Sequence, residues 1–158
     1  MLLKNFVESI FAVGNAKGAH SHAELLDVSS WSWSVRQSYP FAAKIYSAAS
    51  VYVNDYFVVF GGIDGSGGTT IARYDASGDD WHGMGQLKSG RDGHAAIVTG
   101  SDTVLVVGGN GNQMTEKCTV DGDSINCVGQ APYLDDYASY PELFIVSNPY
   151  CSILMNTL

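Results

Sequence analysis

Short apolar runs separated by turn-forming residues recur along the chain. Two of them, Tyr56–Phe60 and Thr103–Val107, have the length of a typical strand and end in Gly-Gly. Continuous apolar character over such a length indicates strands that are buried on both faces. Glycine, aspartate, asparagine and serine fill the intervals, as expected for tight turns between antiparallel strands. The pattern therefore predicts an all-β protein.

The apolar runs recur with a fixed period. Gly61-Gly62 and Gly108-Gly109 lie 47 residues apart, and one further period upstream falls on Gly14. Upstream of the two glycine pairs, Ser47–Ala49 corresponds to His94–Ala96 at the same spacing. A period of this length indicates a repeat architecture, and four strands per period is one blade of a β-propeller.

An aromatic pair follows the glycines within the repeat. Tyr74 and Trp81 are seven residues apart, and Leu26 and Trp33 keep that spacing in the earlier copy. An Arg-x-Gly-His segment then leads into the next strand. This combination resembles the Kelch repeat over residues 6–146, most strongly over 45–109, and implies a Kelch-type propeller in which the aromatic pair packs between neighbouring blades. The signature residues are Gly14, Gly61, Gly62, Gly108, Gly109, Trp33, Tyr74, Trp81, Arg91 and His94.

The number of repeats predicts an open arrangement. The 158 residues hold about 3.4 periods of 47, fewer than the roughly four to eight blades that close a ring. We expect a single domain, 1–158, forming a partial propeller of about three four-stranded antiparallel blades, incomplete at both ends. The expected copies are 1–44 (partial), 45–92, 93–139 and 140–158 (partial). A fragment of a longer protein is the favoured explanation; a truncated product, or self-association in which other chains complete the propeller, stays open.

The third copy carries cysteines where the aromatic pair is expected. Cys118 and Cys127 lie on either side of Asp121-Gly122, a strong hairpin-turn signal, so they fall at opposed positions of two strands. The spacing predicts a disulfide, with two free buried thiols as the alternative. A disulfide implies an oxidising compartment, so we expect an extracellular or cell-surface protein. Cys151 leaves an odd count, which a partner outside this chain or a buried thiol would explain.

Charge and hydropathy exclude several classes of partner. The net charge is −8 and the isoelectric point is near 4.6, which argues against nucleic acid and anionic membrane surfaces. No apolar run approaches the roughly 20 residues of a membrane span. Residues 1–19 superficially resemble a signal peptide, but Asn5 and Glu8 interrupt the apolar part. We therefore interpret this segment as a strand of the first repeat, not as a signal peptide.

No arrangement of side chains points to catalysis or to a cofactor. His20 and His22 share one face of a strand, but two ligands without further support do not make a zinc site. The segment 64–68 lacks the lysine of a phosphate-binding loop, and Asp121 with Asp123 does not continue a calcium loop. The histidine and tyrosine copper ligands of a galactose-oxidase-like enzyme, and its tyrosine cross-linked to cysteine, are not recognisable in this sequence. We expect no enzyme, no metal and no cofactor.

One acidic, tyrosine-rich connector is a candidate for binding. It contains Tyr133, Asp135, Asp136 and Tyr137, and tyrosine is enriched at interfaces; the same residues would also suit a crossover between blades. The leading hypothesis is a non-catalytic, extracellular Kelch-repeat interaction module that binds a protein or glycan through blade-connecting loops. The alternatives are a fragment of a cytosolic Kelch substrate adaptor and, less favoured, a fragment of a galactose-oxidase-like enzyme.

Overall fold

Three antiparallel sheets make up the part of the chain that the computed structural model describes, which is residues 9–15, 21–41, 45–63, 67–110, 112–130, 140–143 and 145. The first sheet contains β1 (Ser9–Asn15), β2 (Ser21–Asp27) and β3 (Ser32–Arg36). The second contains β4 (Ala49–Val53), β5 (Tyr56–Phe60), β6 (Thr70–Asp75) and β7 (Asp80–Gln86). The third contains β8 (Ala95–Val98), β9 (Thr103–Val107), β10 (Thr115–Asp121) and β11 (Ser124–Gln130). The predicted all-β class is confirmed.

Each sheet is a simple meander in which consecutive strands are hydrogen-bonded neighbours. The second and third sheets lie face to face, with β4 beside β8 and β7 beside β11. This stacking is propeller-like, and within the described ranges the sheets do not close into a ring. The same residues include no helix of the length and apolar character that crossing a bilayer requires.

Register repeats from sheet to sheet. In each sheet, one residue from each of three successive strands forms a row across the sheet. The three rows are Ile10–Leu26–Trp33, Phe57–Tyr74–Trp81 and Val104–Cys118–Cys127. The first members of the rows are 47 residues apart, so the pairing of the strands reproduces the period of the sequence. We call these the first, second and third rows.

The first strand of the repeat departs from that period. Ala49 lies opposite Phe60, and Ala95 lies opposite Val107, so these strands are offset by 46 residues and the predicted correspondence of 47–49 with 94–96 is wrong by one. The cause is turn length. Asn54 and Asp55, both with positive φ, form a two-residue turn in the second sheet. In the third sheet the Thr99 N–H donates to the Thr103 carbonyl at 2.9 Å, so the equivalent turn contains three residues, 100–102.

Two apolar cores hold the sheets together, and β5 contributes to both. Val58 and Phe60 face the core between the second and third sheets. Phe57 and Val59, which alternate with them, face the core between the first and second sheets. The burial of β5 on both faces explains its continuous apolar sequence. We define the front face of a sheet as the face that carries its row, which in the second and third sheets is turned toward the preceding sheet; the opposite face is the back face.

Candidate functional site

The Gly-Gly corners are packed too tightly for any side chain. Gly61 has φ +58°, and a Cβ there would lie 2.7 Å from the Arg91 carbonyl oxygen. Gly62, Gly108 and Gly109 also have positive φ values, a conformation that glycine adopts without strain. Gly14 differs from them, because it lies in regular strand opposite His22 and has no positive φ.

The second row lies in an aromatic cluster between the first and second sheets. Tyr74 stacks on Phe11 with ring centroids 4.3 Å apart, and Trp81 meets Tyr39 edge to face at 5.0 Å. Tyr39, Tyr74 and Trp81 are all buried. The aromatic pair of the repeat therefore packs between the first and second sheets.

The polar atoms of this cluster bind the segment that links the first two sheets. The Tyr74 hydroxyl donates to Asp79 Oδ1 at 2.5 Å, and the Trp81 Nε1–H donates to the Gln37 carbonyl at 2.8 Å. Asp79 also accepts from the Gln37 N–H at 2.9 Å. This backbone bond, followed by the Tyr74 bond, lowers the pKa of Asp79, while burial and the Asp79 carboxylate raise the pKa of Tyr74. Gln37 is thus held through both of its backbone polar atoms.

Arg91 and Glu116 form an ion pair that is fully buried between the second and third sheets. Arg91 Nη2 lies 2.7 Å from Glu116 Oε1, and neither side chain is exposed. Arg91 Nη1 donates to the Gly108 and Met114 carbonyls, both at 2.8 Å. Burial lowers the pKa of Arg91, and the Glu116 carboxylate opposes that effect.

The Glu116 carboxylate also accepts two backbone bonds, from the N–H of Lys88 at 2.8 Å and of Ser89 at 3.2 Å. Its charge is therefore compensated by three donors, which is what a buried carboxylate needs. The partners of this pair are all within the protein, so the pair joins the linker 87–94 to β10. Glu116 was not singled out from the sequence. The available signal is the alternation along β10, in which Glu116 shares the buried face with Cys118 and Val120.

His94 is packed between two glycine corners. Its ring approaches the Cα of Gly61, its Cβ lies beside Gly109, and only 6% of the residue is exposed. Neither ring nitrogen makes a hydrogen bond of good geometry with a described residue. Burial, and then the nearby Arg91 charge, lower the pKa of His94 to about 4, with a weak opposing contribution from the Phe60 backbone. The ring is therefore neutral and structural at physiological pH.

The predicted disulfide between Cys118 and Cys127 is confirmed. The two residues are directly opposed in β10 and β11, with Cα atoms 4.0 Å apart, and both are buried. They occupy the register of Tyr74 and Trp81, so the bridge fills the same inter-sheet position that the aromatic pair fills in the second sheet. Glu116 lies near both sulfurs, and these three form the one cluster of potential metal ligands within the described ranges. Sulfurs joined to each other do not serve as thiolate ligands.

Exposed side chains gather on three segments: the link between the first and second sheets, the β5–β6 loop within the second sheet, and the segment at Tyr140 that follows β11. Tyr46 and Ile63 are each 43% exposed, and Tyr140 is 70% exposed. The Ile63 N–H donates to the Tyr46 carbonyl at 2.9 Å, and the Tyr140 N–H donates to the Gly93 carbonyl at 2.6 Å. Gly93 in turn donates to Ser47, beside Tyr46, at 2.8 Å. These backbone bonds hold the main chains at Tyr46, Ile63 and Tyr140 close together, and we call the exposed side chains of these three residues the connection surface.

Two depressions adjoin the connection surface. One, of about 270 Å³, is lined by Tyr46 and by the ends of β1 and β4. The other, of about 330 Å³, is lined by Ile63, Arg91, Asp92 and four glycines. Volumes near 300 Å³ lie at the small end of ligand pockets, so they suit single side chains or sugar units. Tyr46 and Ile63 were not singled out from the sequence, because exposure at a strand end leaves no periodic signal.

The predicted binding connector lies outside the described residues. This connector contains Tyr133, Asp135, Asp136 and Tyr137. His20 also lies outside the described residues. The connector leads into Tyr140, which does lie on the connection surface. His22 is described, and its Nε2 is 3.9 Å from Glu24 on a half-exposed part of β2.

Comparisons with known proteins support the fold and leave the family open. No protein-family model matches the chain. No curated protein matches it either. Among solved structures 103 chains match, and one of these, described as "Structure of YjhT", superimposes with a TM-score of 0.67 at 13% sequence identity. The match covers 83% of this chain and 51% of that one, so the chain spans about half the length of its structural relative. A likeness at this identity concerns the fold alone.

Proposed function

We propose that this chain is part of a Kelch-type propeller that serves as a non-catalytic interaction module outside the cytoplasm and binds a protein or glycan through its blade-connecting loops. The observation that carries this proposal is the connection surface. It brings Tyr46, Ile63 and Tyr140 from three different connections into one patch beside two depressions. Tyrosine contributes large contact area at low entropic cost and is enriched in recognition surfaces.

The buried polar groups also support a binding role over a catalytic one. Among the described residues, Arg91 and Glu116 are buried and bonded to each other and to backbone groups, and His94 is buried between two glycine corners. A catalytic group must reach a substrate. The contacts of Arg91 and Glu116 instead support a role in holding the second and third sheets together.

A cell-binding assay tests the proposal. Fluorescently labelled wild-type protein is applied to cultured cells, alongside Tyr46→Ala, Tyr140→Ala and the matched control Tyr52→Ala. Tyr52 is also an exposed tyrosine, but it lies in β4 next to the two-residue turn, at the opposite end of the sheet. We expect each connection-surface variant to weaken binding at least about tenfold, as for residues that each supply more than about 1.4 kcal/mol.

Two treatments of the cells identify the class of ligand. If the ligand is a glycan, glycosidase treatment abolishes binding. If the ligand is a protein, protease treatment abolishes binding and glycosidase treatment does not. Equal binding by all three variants would contradict the assignment of the connection surface. Mass spectrometry under non-reducing conditions tests the location: the proposal requires an intact Cys118–Cys127 bridge in protein from its native source, and reduced thiols there would favour the cytosolic adaptor.

A further inference from the structure

The front face of the first sheet carries exposed apolar side chains, together with Glu24, whereas the front faces of the other two sheets are buried. The row of the first sheet contains Ile10 and Trp33, which are 49% and 52% exposed, and Val35 beside them is also exposed. The equivalent rows of the second and third sheets lie inside the cores between sheets. The register of the strands thus shows what kind of surface covers such a row, namely the back face of another sheet of the same repeat.

The back face of the third sheet is the matching half of that contact. Leu105 and Val107 follow Val58 and Phe60 by one period, and both of those earlier residues face the core between the second and third sheets. On the same face Val128 is 44% exposed. The chain therefore presents both halves of its own internal contact, one at each end of the stack.

We propose that two copies of this chain associate head to tail, with the back face of the third sheet of each copy against the front face of the first sheet of the other. Two copies of three sheets supply six blades, within the roughly four to eight that close a propeller. The contact is heterologous, and with two copies the ring closes on itself.

Charge at the two faces is complementary as well. Arg73 projects from the back face of the second sheet and bonds Asp123, in the β10–β11 turn of the next sheet, at 2.8 Å. Lys117 occupies the register of Arg73 in the third sheet. The front face of the first sheet carries Glu24, paired with Val35 across β2 and β3, so Lys117 of one copy would face an acidic side chain of the other.

Sedimentation velocity on the purified chain tests the proposal. We expect a species of twice the 16.9-kDa chain mass at micromolar concentrations. Trp33→Asp on the front face and Val128→Asp on the back face should each shift the protein to monomer, with the far-ultraviolet circular dichroism of the wild type retained. Tyr52→Asp, at an exposed position off both faces, is the matched control and should stay dimeric. Val35→Asp replaces Trp33→Asp if that variant loses its β signal.

Mixing distinguishes head-to-tail association from other arrangements. A 1:1 mixture of Trp33→Asp and Val128→Asp retains one intact contact and should regain a two-chain species, with at least about tenfold weaker association than the wild type. A monomeric wild type would overturn the proposal. So would a dimer that Trp33→Asp abolishes and Val128→Asp leaves unchanged, since that outcome indicates front-to-front pairing.

Discussion

Acidification from pH 7 to pH 5 should lower the free energy of unfolding, chiefly through protonation of His94 in the unfolded state. The folded state holds this ring neutral, with a pKa of about 4, whereas the ordinary value of 6.5 applies once the chain unfolds. Between those two values the unfolded state binds more protons than the folded state. The free energy of unfolding therefore falls as the pH falls through this window, and it is fully retained only above the unfolded-state pKa.

The size of the effect follows from the difference between the two pKa values. Each unit of difference is worth about 1.4 kcal/mol, so the loss between pH 7 and pH 5 is about 2 kcal/mol and reaches roughly 3.4 kcal/mol below pH 4. The carboxylates with lowered pKa values act in a different range. Those of Asp27, Asp75 and Asp79 lie below the ordinary value of 3.8, so the stability they contribute is lost mainly under pH 4.

Urea unfolding monitored by tryptophan fluorescence at pH 7, 6 and 5 measures this loss. We expect the wild type to lose about 2 kcal/mol across the range and His94→Gln, a non-titrating replacement of similar size, to lose almost none. His82→Gln is the matched control, because His82 is exposed, and it should follow the wild type. The reasoning is refuted if His94→Gln keeps the wild-type slope or if the wild type has no slope at all.

Three further changes test the contacts between sheets by the same unfolding measurement at pH 7. Replacing both Cys118 and Cys127 by alanine should cost about 2.6 kcal/mol, because the bridge closes a loop of sequence separation 9. Arg91→Met should cost about 3–5 kcal/mol, since it leaves the Glu116 carboxylate buried without its counter-charge. Tyr74→Phe should cost about 1 kcal/mol through loss of one hydrogen bond, because the acceptor, Asp79, is exposed to solvent.

Each of these predictions has its own control. Adding Glu116→Gln to Arg91→Met should recover part of the loss, and additive losses in the double variant would contradict a direct ion pair. Tyr56→Phe, at a half-buried tyrosine outside the aromatic cluster, should cost less than Tyr74→Phe. For the disulfide, a variant as stable as the oxidised wild type would show that the bridge adds nothing to folding.

Much of the fold was predictable because register and period are properties of the sequence. The strands Tyr56–Phe60 and Thr103–Val107 form at the predicted residues, and the disulfide lies where opposed strand positions place it. Apolar runs and turn residues encode these features locally. The error of one residue at β4 and β8 arose because a turn of different length changes the offset of one strand while the others keep theirs.

The surfaces were far less predictable. Glu116 is acidic and yet completely buried, because its partner Arg91 arrives from a linker 25 residues earlier, and no local pattern reports that pairing. Tyr46 and Ile63 acquire a shared surface only through backbone bonds between connections. The acidic, tyrosine-rich connector was singled out by composition alone and lies outside the described residues; composition gives no such signal for Tyr46 and Ile63.

The placement of Arg91 has a consequence for how the protein comes apart. This residue follows the second sheet in the chain, yet its guanidinium is held by backbone and carboxylate groups of the third. The Arg91 backbone is bonded to Gly62 and Gly68 of the second sheet, so separating the two sheets must break either these bonds or those of the ion pair, and the sheets should open as one cooperative unit. The first sheet is joined through aromatic contacts and the Gln37 peptide. Its amides should therefore exchange with solvent through a lower-energy opening, and loss of the first sheet would leave a two-sheet kernel still folded.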